Sequence, residues 1–520
     1  MALTYLKKIN NAAKAECVQR RKIRFIIMLL LAAGGLFTVS EYRCPQIWMS
    51  SRHEPYLDGA MGMFLLCAAA CFGIFAVHGI FSDMTSRQTA DVQMSLPMSA
   101  KDRYLSKILA LCKLHIFPLI ICCLAVMVLC IAKVCLGISL HDGVVKARLS
   151  ADMIFYLGKF MLIVFLIAFF TDAVTVFCMT CCGAKAEGIY TSLITMFCVS
   201  AAPFIFYIQV IAKFSGVTDL PNEGRLFMCW GLIPVFEYLD YYYEVHISEY
   251  VVPMLINILI SCLVIWASYF IYKKRDARSV GKPMAFSLFF ELFMFMGTFT
   301  LFTMFFFSSM WTIGVTIALI ISLIIRIVVS RAKVSVKSFG VWILKYAACV
   351  GLFIGIAAVG YYTGGFGLSS FKPDLSDTCM VDGRISYDFW VMDEGSSYVE
   401  QNHQNLEDKS GDEYDVYADI IEKYRAKAVN RFESFSDCVF EGASVQSLDK
   451  GYVDITYDIN CVREEDREAY EYSIYNDDYV GSSPYYENYT ITFRLTKQDA
   501  ADMHDELAEA GGYEYDSYRQ

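Results

Sequence analysis

The sequence predicts a multi-span α-helical membrane protein with about nine transmembrane helices and a C-terminal α+β extracytoplasmic domain. Apolar residues make up 56% of the 520 residues and charged residues only 19%, whereas soluble domains are usually about 45–50% apolar. Nine stretches are long and apolar enough to cross a bilayer, and the polarity pattern changes from helical to alternating after Tyr362. This composition, with a net charge of -10, excludes a wholly soluble enzyme, a disordered scaffold and a basic nucleic-acid binder.

Charge divides the chain into two parts with opposite electrostatics. From Thr363 onward, 13 Lys and Arg stand against 35 Asp and Glu, a net charge of -22. The preceding part carries 31 basic and 19 acidic residues, a net charge of +12. The membrane part is therefore basic, and the C-terminal part is strongly acidic.

Residues 1–24 are predicted to form a cytoplasmic interfacial helix before the first span. Apolar residues recur at helical spacing beside several lysines and arginines: Leu3, Leu6, Ile9, Ala13 and Cys17. Such a helix can lie on the inner membrane surface with its cations over anionic headgroups, although a short frayed leader is the alternative. The basic leader is long for a signal peptide and no clean A-x-A site follows, which favours an uncleaved first helix.

Nine segments satisfy the length of about 20 apolar residues that a spanning helix needs. They lie at 25–40, 61–81, 114–137, 153–182, 189–212, 251–272, 284–306, 309–329 and 340–362. Alternate connections, starting with the N-terminus, hold 21 Lys and Arg, and the opposite set holds six. The positive-inside rule therefore predicts a cytoplasmic N-terminus and an external C-terminal domain in the plasma membrane. This parity reverses if 284–329 is one span and a re-entrant segment.

A linker at 363–378 precedes a domain at 379–520. Gly and Pro in the linker indicate irregular backbone. Three segments then alternate apolar and polar residues, as strands with one buried face do, at 385–391, 453–461 and 489–495. Helical stripes at 412–432 and 497–510 complete the pattern, which predicts an antiparallel sheet covered on one face by two helices.

The cysteines and acidic clusters do not predict a metal site. Most of the 19 cysteines lie within spans, where they are small packing residues, and Cys379, Cys438 and Cys461 in the C-terminal domain allow at most one disulfide. In the sequence, these three cysteines have no C-x-x-C or His-Cys spacing of a zinc site, and no D-x-D-x-D-G calcium loop occurs. The acidic runs at 464–466 and 477–478 are interpreted as solvated turns.

Motif searches favour a transport role over an enzymatic one. The sequence contains no phosphate loop, H-E-x-x-H or G-x-S-x-G motif. Three charges lie inside predicted spans, where each is costly: Asp172, Glu291 and Arg326. Glu291 and Arg326 lie at depths that would allow them to pair. For Asp172, a pathway or gating role and a buried packing role are equally supported.

The first inner loop is the most informative stretch. After the second span a polar segment reaches Pro97, which can start a helix, and Ser99, which can cap it. A short helix held between two spans can transmit a push from a cytoplasmic partner. The spacing alone fits an ordinary polar loop equally well.

The string Leu96-Pro97-Met98-Ser99-Ala100-Lys101-Asp102-Arg103-Tyr104, which leads into Ser106-Lys107-Ile108-Leu109, resembles the "Leu-Pro, small, basic, Tyr, Lys" loop of type-2 ABC exporter permeases. The basic N-terminal helix and six-span core of that family are matched by 1–272, with a similar core tail at 272–286. The three additional spans within 273–362 and the outer domain are similar to a subgroup found in Gram-positive bacteria.

The resemblance implies a transmembrane permease subunit that is not itself an enzyme. It implies that two cytoplasmic ABC ATPase subunits hold the ATP, so that this chain needs no cofactor. The residues that would couple to them are Leu96, Pro97, Met98, Lys101, Asp102 and Arg103. It also implies re-entrant outer helices at 226–250.

The partners implied are the ATPase subunits, a second identical or sister protomer and membrane lipids, but no nucleic acid. The cargo expected is amphipathic: a lipid, a peptide or an antibiotic. The alternative is a membrane-anchored sensor of an extracellular ligand without transport. A secondary transporter would predict inverted repeats, which the sequence does not show.

Overall fold

A computed structural model describes residues 2–41, 59–95, 97–136, 151–219, 247–275, 279–282, 284–305, 311–330, 336–372, 378–393, 396–401, 404–406, 412–429, 435, 452–463 and 486–509. The chain forms two compact units. The first comprises Met1–Ala201, Gly224–Gly297 and Ile327–Ala332. The second comprises Ala202–Glu223, Thr298–Arg326 and Lys333–Gln520.

Helices dominate the chain up to Tyr362. In chain order they are α1 Ala2–Gln19, α2 Arg21–Glu41, α3 Gly59–Phe81, α4 Arg87–Ser95, α5 Ala100–Leu111, α6 Phe117–Leu136, α7 Ala151–Cys181, α8 Lys185–Phe206, α9 Ile247–Lys274, α10 Ser287–Phe305, α11 Trp311–Ser330 and α12 Val336–Tyr362. A 3₁₀ turn, Ser82–Thr85, follows α3. Two π-helical segments, Cys112–Ile116 and Tyr207–Ala212, lie between α5 and α6 and after α8.

Six helical segments within the described residues are long and apolar enough to cross a membrane. They are Ala100–Lys133, Met161–Cys181, Lys185–Ser215, Met254–Lys274, Ser287–Phe305 and Lys337–Tyr362. Two further predicted spans coincide with the shorter apolar helices Ala70–Thr85 and Ile313–Ile327. The predicted first span lies in α2. The membrane-protein class is therefore supported by six helices, and the number nine stays a prediction.

Helix α1 buries its apolar face against protein. Ile9, Ala13 and Cys17 are buried, and the Cys17 thiol lies 3.8 Å from the carbonyl oxygen of Ala110 in α5. The cations of Lys7 and Lys14 are exposed. The part of the predicted apolar stripe from Ile9 to Cys17 is thus covered by α5 and its neighbours, which leaves the exposed charges as the part able to meet headgroups.

Helix α7 is central in the first unit, where it packs against α3 and α9. The segment that follows α9 passes over the C-terminal end of α7 and forms hydrogen bonds with it. The amide of Gly281 donates to Gly183 O at 2.8 Å, and the amide of Ala285 donates to Cys181 O at 2.7 Å. A Cβ on Gly183 would overlap with the carbonyl oxygens of Ser279 and Lys282, so this close crossing requires glycine.

In the second unit, α12 packs against α11 and the end of α10. The Tyr346 hydroxyl donates to Val315 O at 2.6 Å, and the rings of Phe302 and Phe353 lie 5.9 Å apart. Both phenylalanines are fully buried. These contacts make the three segments one packed helical group.

The second unit also contains an antiparallel sheet of six strands. The strands are β1 Val217–Asp219, β2 Thr378–Asp393, β3 Ser396–Gln401, β4 Gln404–Leu406, β5 Tyr452–Arg463 and β6 Tyr486–Thr496. Their order is β1-β6-β5-β2-β3, with β4 paired to β2. Strand β1 comes from the connection after α8, far from the others in sequence.

The apolar face of this sheet is covered by two helices, α13 Asp412–Arg425 and α14 Lys497–Glu509. On β5 the alternating residues Val453, Ile455, Tyr457, Ile459 and Cys461 are buried. Ile421 of α13 and Met503 of α14 belong to the same core. The predicted strands and both helices are confirmed in the described part of the domain, with one-sided packing on β5 and β6, and the membership of β1 was not foreseen.

The predicted linker is a hydrogen-bonded turn over its described part. Gly364, Gly365 and Gly367 adopt left-handed backbone angles, and a 3₁₀ turn follows at Leu368–Ser370. The Arg425 guanidinium of α13 donates to Ser369 O and to Phe371 O, both at 2.6 Å. Residues 373–377 lie outside the described part of the chain. The sequence indicated irregular backbone here, and these hydrogen bonds bind the turn to α13 of the domain.

A surface ion pair joins the two helices of this domain and predicts a sensitivity to acid. Lys423 binds Glu506 at 2.6 Å, and the Tyr424 hydroxyl donates to the same carboxylate at 3.0 Å. The hydrogen bond from Lys423, followed by that from Tyr424, lowers the pKa of Glu506, while burial and the bond to Glu506 raise the pKa of Tyr424 to about 12.

Because the folded pKa of Glu506 is depressed, its stabilising contribution is complete above its ordinary value of 4.5 and is lost as pH falls through the lowered value. We therefore expect Glu506→Gln to unfold at a lower temperature than the native chain at pH 7, and the difference to vanish in acid. Thermal unfolding of the full chain across pH 3–7 measures this. A difference that stays constant down to the lowest pH would contradict it.

Candidate functional site

The predicted first inner loop leads into helix α5, which continues through the π-helical segment Cys112–Ile116 into α6 and whose start is exposed. The Ser99 side chain accepts a hydrogen bond from the amide of Asp102 at 3.1 Å and caps α5, as predicted. Pro97 and Lys101 are exposed, Met98 and Arg103 are half-buried, and Leu96 lies outside the described residues. The described coupling residues, Pro97 to Arg103, therefore lie at one end of a capped helix.

Asp102 differs from its neighbours because its carboxylate points into the protein. The Tyr5 hydroxyl of α1 donates to it at 2.7 Å, and the Lys8 ammonium lies 3.7 Å away. The bond to Asp102 raises the pKa of Tyr5. Asp102 thus joins α5 to α1, and the exposed surface expected for docking is formed by Pro97 and Lys101. The sequence did not indicate this, because Tyr5 is 97 positions away.

Lys107 joins the other end of α5 to the end of α3. Its side chain is 1% exposed. The ammonium binds Asp83 Oδ2 at 2.7 Å and Ile80 O at 3.0 Å, with Glu16 at 3.7 Å. A buried cation of this kind holds its position only while its partners remain, since losing one leaves a buried charge uncompensated. In the sequence, Lys107 is the lysine that completes the resemblance to the permease loop, and no local pattern indicates its burial.

Tyr104 joins α5 to α9. Its hydroxyl donates to Ile265 O at 2.6 Å. Its ring lies 5.6 Å from that of Tyr269 and 5.4 Å from that of Tyr272. Through Asp102, Lys107 and Tyr104, helix α5 therefore has a buried anchor on each of three neighbours: α1, the turn after α3, and α9.

Arg275, the residue after α9, binds the ends of two other helices. Its guanidinium donates to Met179 O at 3.0 Å and Thr180 O at 3.2 Å in α7, and to Met84 O at 2.7 Å in the turn after α3. Carbonyls at a helix C-terminus carry partial negative charge, which suits a cation. Burial lowers the pKa of this guanidinium. From the sequence, Arg275 is one of the 21 Lys and Arg in the connections predicted to be cytoplasmic, and no local pattern indicates these contacts.

The predicted intramembrane charge of Asp172 is paired with His115. His115 Nδ1 lies 2.9 Å from Asp172 Oδ2, and the two side chains are 0% and 2% exposed. His115 belongs to the π-helical segment Cys112–Ile116, and Gly73 of α3 faces the pair. A Cβ at Gly73 would lie 2.6 Å from Asp172 Oδ1. The pair is thus buried where the π-helical segment, α3 and α7 pack together, which is the environment of a buried polar contact.

The other two predicted intramembrane charges are half-buried. Glu291 lies in α10 within the first unit, and Arg326 lies in α11 within the second. Their pairing stays a prediction.

Metal ligands do not converge in the described residues, where no group of three or more His, Cys, Asp or Glu side chains could hold an ion. The acidic runs at 464–466 and 477–478, Cys438 and residues 226–246 of the predicted re-entrant segment lie outside the described residues, and residues 247–250 are the start of α9. Cys461 is buried on β5.

Comparison of the chain with protein-family models, with curated proteins and with solved structures finds no match.

Proposed function

We propose that this chain is the transmembrane permease subunit of an ABC exporter in the plasma membrane. In this proposal nine helices span the bilayer, the N-terminus is cytoplasmic and the C-terminal domain is external. Two such chains, identical or related, pair and bind two cytoplasmic ATPase subunits, which hold the ATP. Their closure moves an amphipathic cargo across the membrane: a lipid, a peptide or an antibiotic.

The observation that carries the proposal is the exposed start of α5 combined with its buried anchors. Pro97 and Lys101 are available to a cytoplasmic partner, while Tyr104 and Lys107 reach α9 and the end of α3. A push on the exposed end therefore displaces helices on two sides rather than bending a loop. Packed contacts of this type have discrete arrangements and transmit small displacements without absorbing them.

The test is the recovery of an ATPase with the full chain. Affinity purification from the cells that naturally express the chain is expected to retain a subunit with a phosphate-loop motif, identified by mass spectrometry. Lys101→Glu reverses an exposed charge at the expected contact, and we expect it to reduce that recovery by about tenfold, as loss of an interface charge pair does.

The matched control is Lys337→Glu, which reverses an exposed lysine at the start of α12 on the same predicted side of the membrane. We expect it to recover as much ATPase as the native chain. If the native chain recovers no ATPase, the permease proposal is wrong. A sensor that binds an external ligand without transport would then become the favoured function.

A further inference from the structure

The acidic domain is connected to the helices of the second unit at more than one place. The sequence indicated a single covalent connection, through the linker after α12. The structure adds strand β1, which follows the π-helical segment Tyr207–Ala212 and pairs with β6, Val217 opposite Ile491 and Asp219 opposite Thr490. One edge of the domain sheet is therefore supplied by the chain that leaves α8.

Gly216 makes this connection tight. Its backbone is left-handed, with φ of 73°, and its carbonyl accepts a hydrogen bond from the amide of Thr492 at 2.6 Å. A Cβ at this position would overlap with Thr492 O. The Ser215 hydroxyl accepts from the amide of Val217 at 3.1 Å and fixes the entry to β1. A backbone hydrogen bond thus joins β6 to Gly216, at the end of the helical segment that follows α8.

The turn after α12 makes the second connection. Gly365 is left-handed, and a Cβ there would lie 2.6 Å from Ile211 O in the π-helical segment. The amide of Gly365 donates to Gly360 O at 2.7 Å, which joins the turn to α12. The rings of Phe214 and Tyr361 pack edge to face, 5.7 Å apart. The ends of α8 and α12 therefore hold each other directly.

The domain also holds this turn from its own side. Arg425 of α13 donates to two carbonyls of the turn, and the ring of Phe371 stacks on Tyr489 of β6 at 6.1 Å. The ring of Phe435 lies 5.6 Å from that of Tyr361. Strand β6, helix α13 and the turn are thus bound to the same two helix ends.

We infer that the C-terminal domain acts as a lever on the membrane helices of its own unit. In this inference β1 carries a displacement of the sheet to the π-helical end of α8, and the glycine turn carries it to α12, which is packed on α11. π-helical turns are rare within α-helices and lie frequently at functional sites. The domain would therefore report an external ligand or load to these helices, which goes beyond the proposed transport function.

Hydrogen exchange of the full chain in lipid nanodiscs tests the lever without any ATPase. Gly216→Ala places a methyl group against Thr492 O and is expected to break the β1–β6 pairing. Peptides that cover 202–216 and 486–496 should then both exchange about tenfold faster, because local opening governs exchange. Gly281→Ala is the matched control: it is also left-handed, with φ of 82°, but its Cβ has no atom of the described residues within 4 Å.

A second variant tests transmission from inside the domain. Ile455→Val removes one methylene from the core beneath β5, a mild change that leaves the domain folded. We expect it to speed exchange in 202–216 as well as in the domain, and to lose that remote effect when combined with Gly216→Ala. Unchanged exchange of 202–216 in both single variants would overturn the lever. The ATPase-recovery result would stand either way, so the two proposals can fail separately.

Discussion

Replacing Lys107 with methionine is expected to destabilise the protein by about 3–5 kcal/mol, the cost of leaving a buried ion without its partner. Methionine keeps the apolar stem beside the Phe81 ring, which the ammonium approaches to 5.6 Å. It removes the charge that binds Asp83, a residue only 6% exposed. Asp83 Oδ1 has no hydrogen-bond partner among the described residues, so the carboxylate depends on Lys107.

Thermal unfolding of the detergent-solubilised full chain measures this loss. The double variant Lys107→Met/Asp83→Leu removes both charges and should regain most of the stability, because apolar residues of similar volume replace buried pairs at little cost. Lys423→Met is the control, since that ion pair is 53% and 35% exposed and solvent screens it, so its loss should destabilise the protein far less. A Lys107 variant no less stable than this control would show that the anchor is not needed.

The helices and strands were predictable because each depends on a local pattern. Every predicted span coincides with a helix, since about 20 apolar residues have few other stable forms in a bilayer. The strands β5 and β6 follow from the alternation of apolar and polar residues along the chain. The capping of α5 by Ser99 follows from the position of this residue before the helix. These features require only near neighbours.

The contacts that define the candidate site depend on distant residues and left no such pattern. Strand β1 has three residues, too few for an alternating signal, and exists because β6 offers it backbone partners. The resemblance implies that Asp102 is a coupling residue, and its contact with Tyr5 could not be predicted because Tyr5 belongs to another helix. The burial of Lys107 and of Arg275 could not be predicted either, because burial of a long side chain depends on which helices surround it.

His115→Leu is expected to cost about 3–5 kcal/mol, because Asp172 then remains alone in the interior of α7. Leucine fills similar space but offers no N–H to the carboxylate, which is 2% exposed. Asp172→Asn should cost less, because an amide oxygen still accepts from His115 Nδ1. Thermal unfolding of the two variants in the same detergent provides the comparison.

The double variant His115→Leu/Asp172→Leu separates the two roles that the sequence left open for Asp172. If the pair serves packing alone, the double variant should regain stability and should stimulate the partner ATPase as well as the native chain does. Gly73 would then face apolar side chains in a site that needs no charge. If the pair serves gating, the double variant should regain stability but should not stimulate the partner ATPase. Equal stability of His115→Leu and the native chain would contradict the pairing itself, since an isolated carboxylate at this depth would then carry no cost.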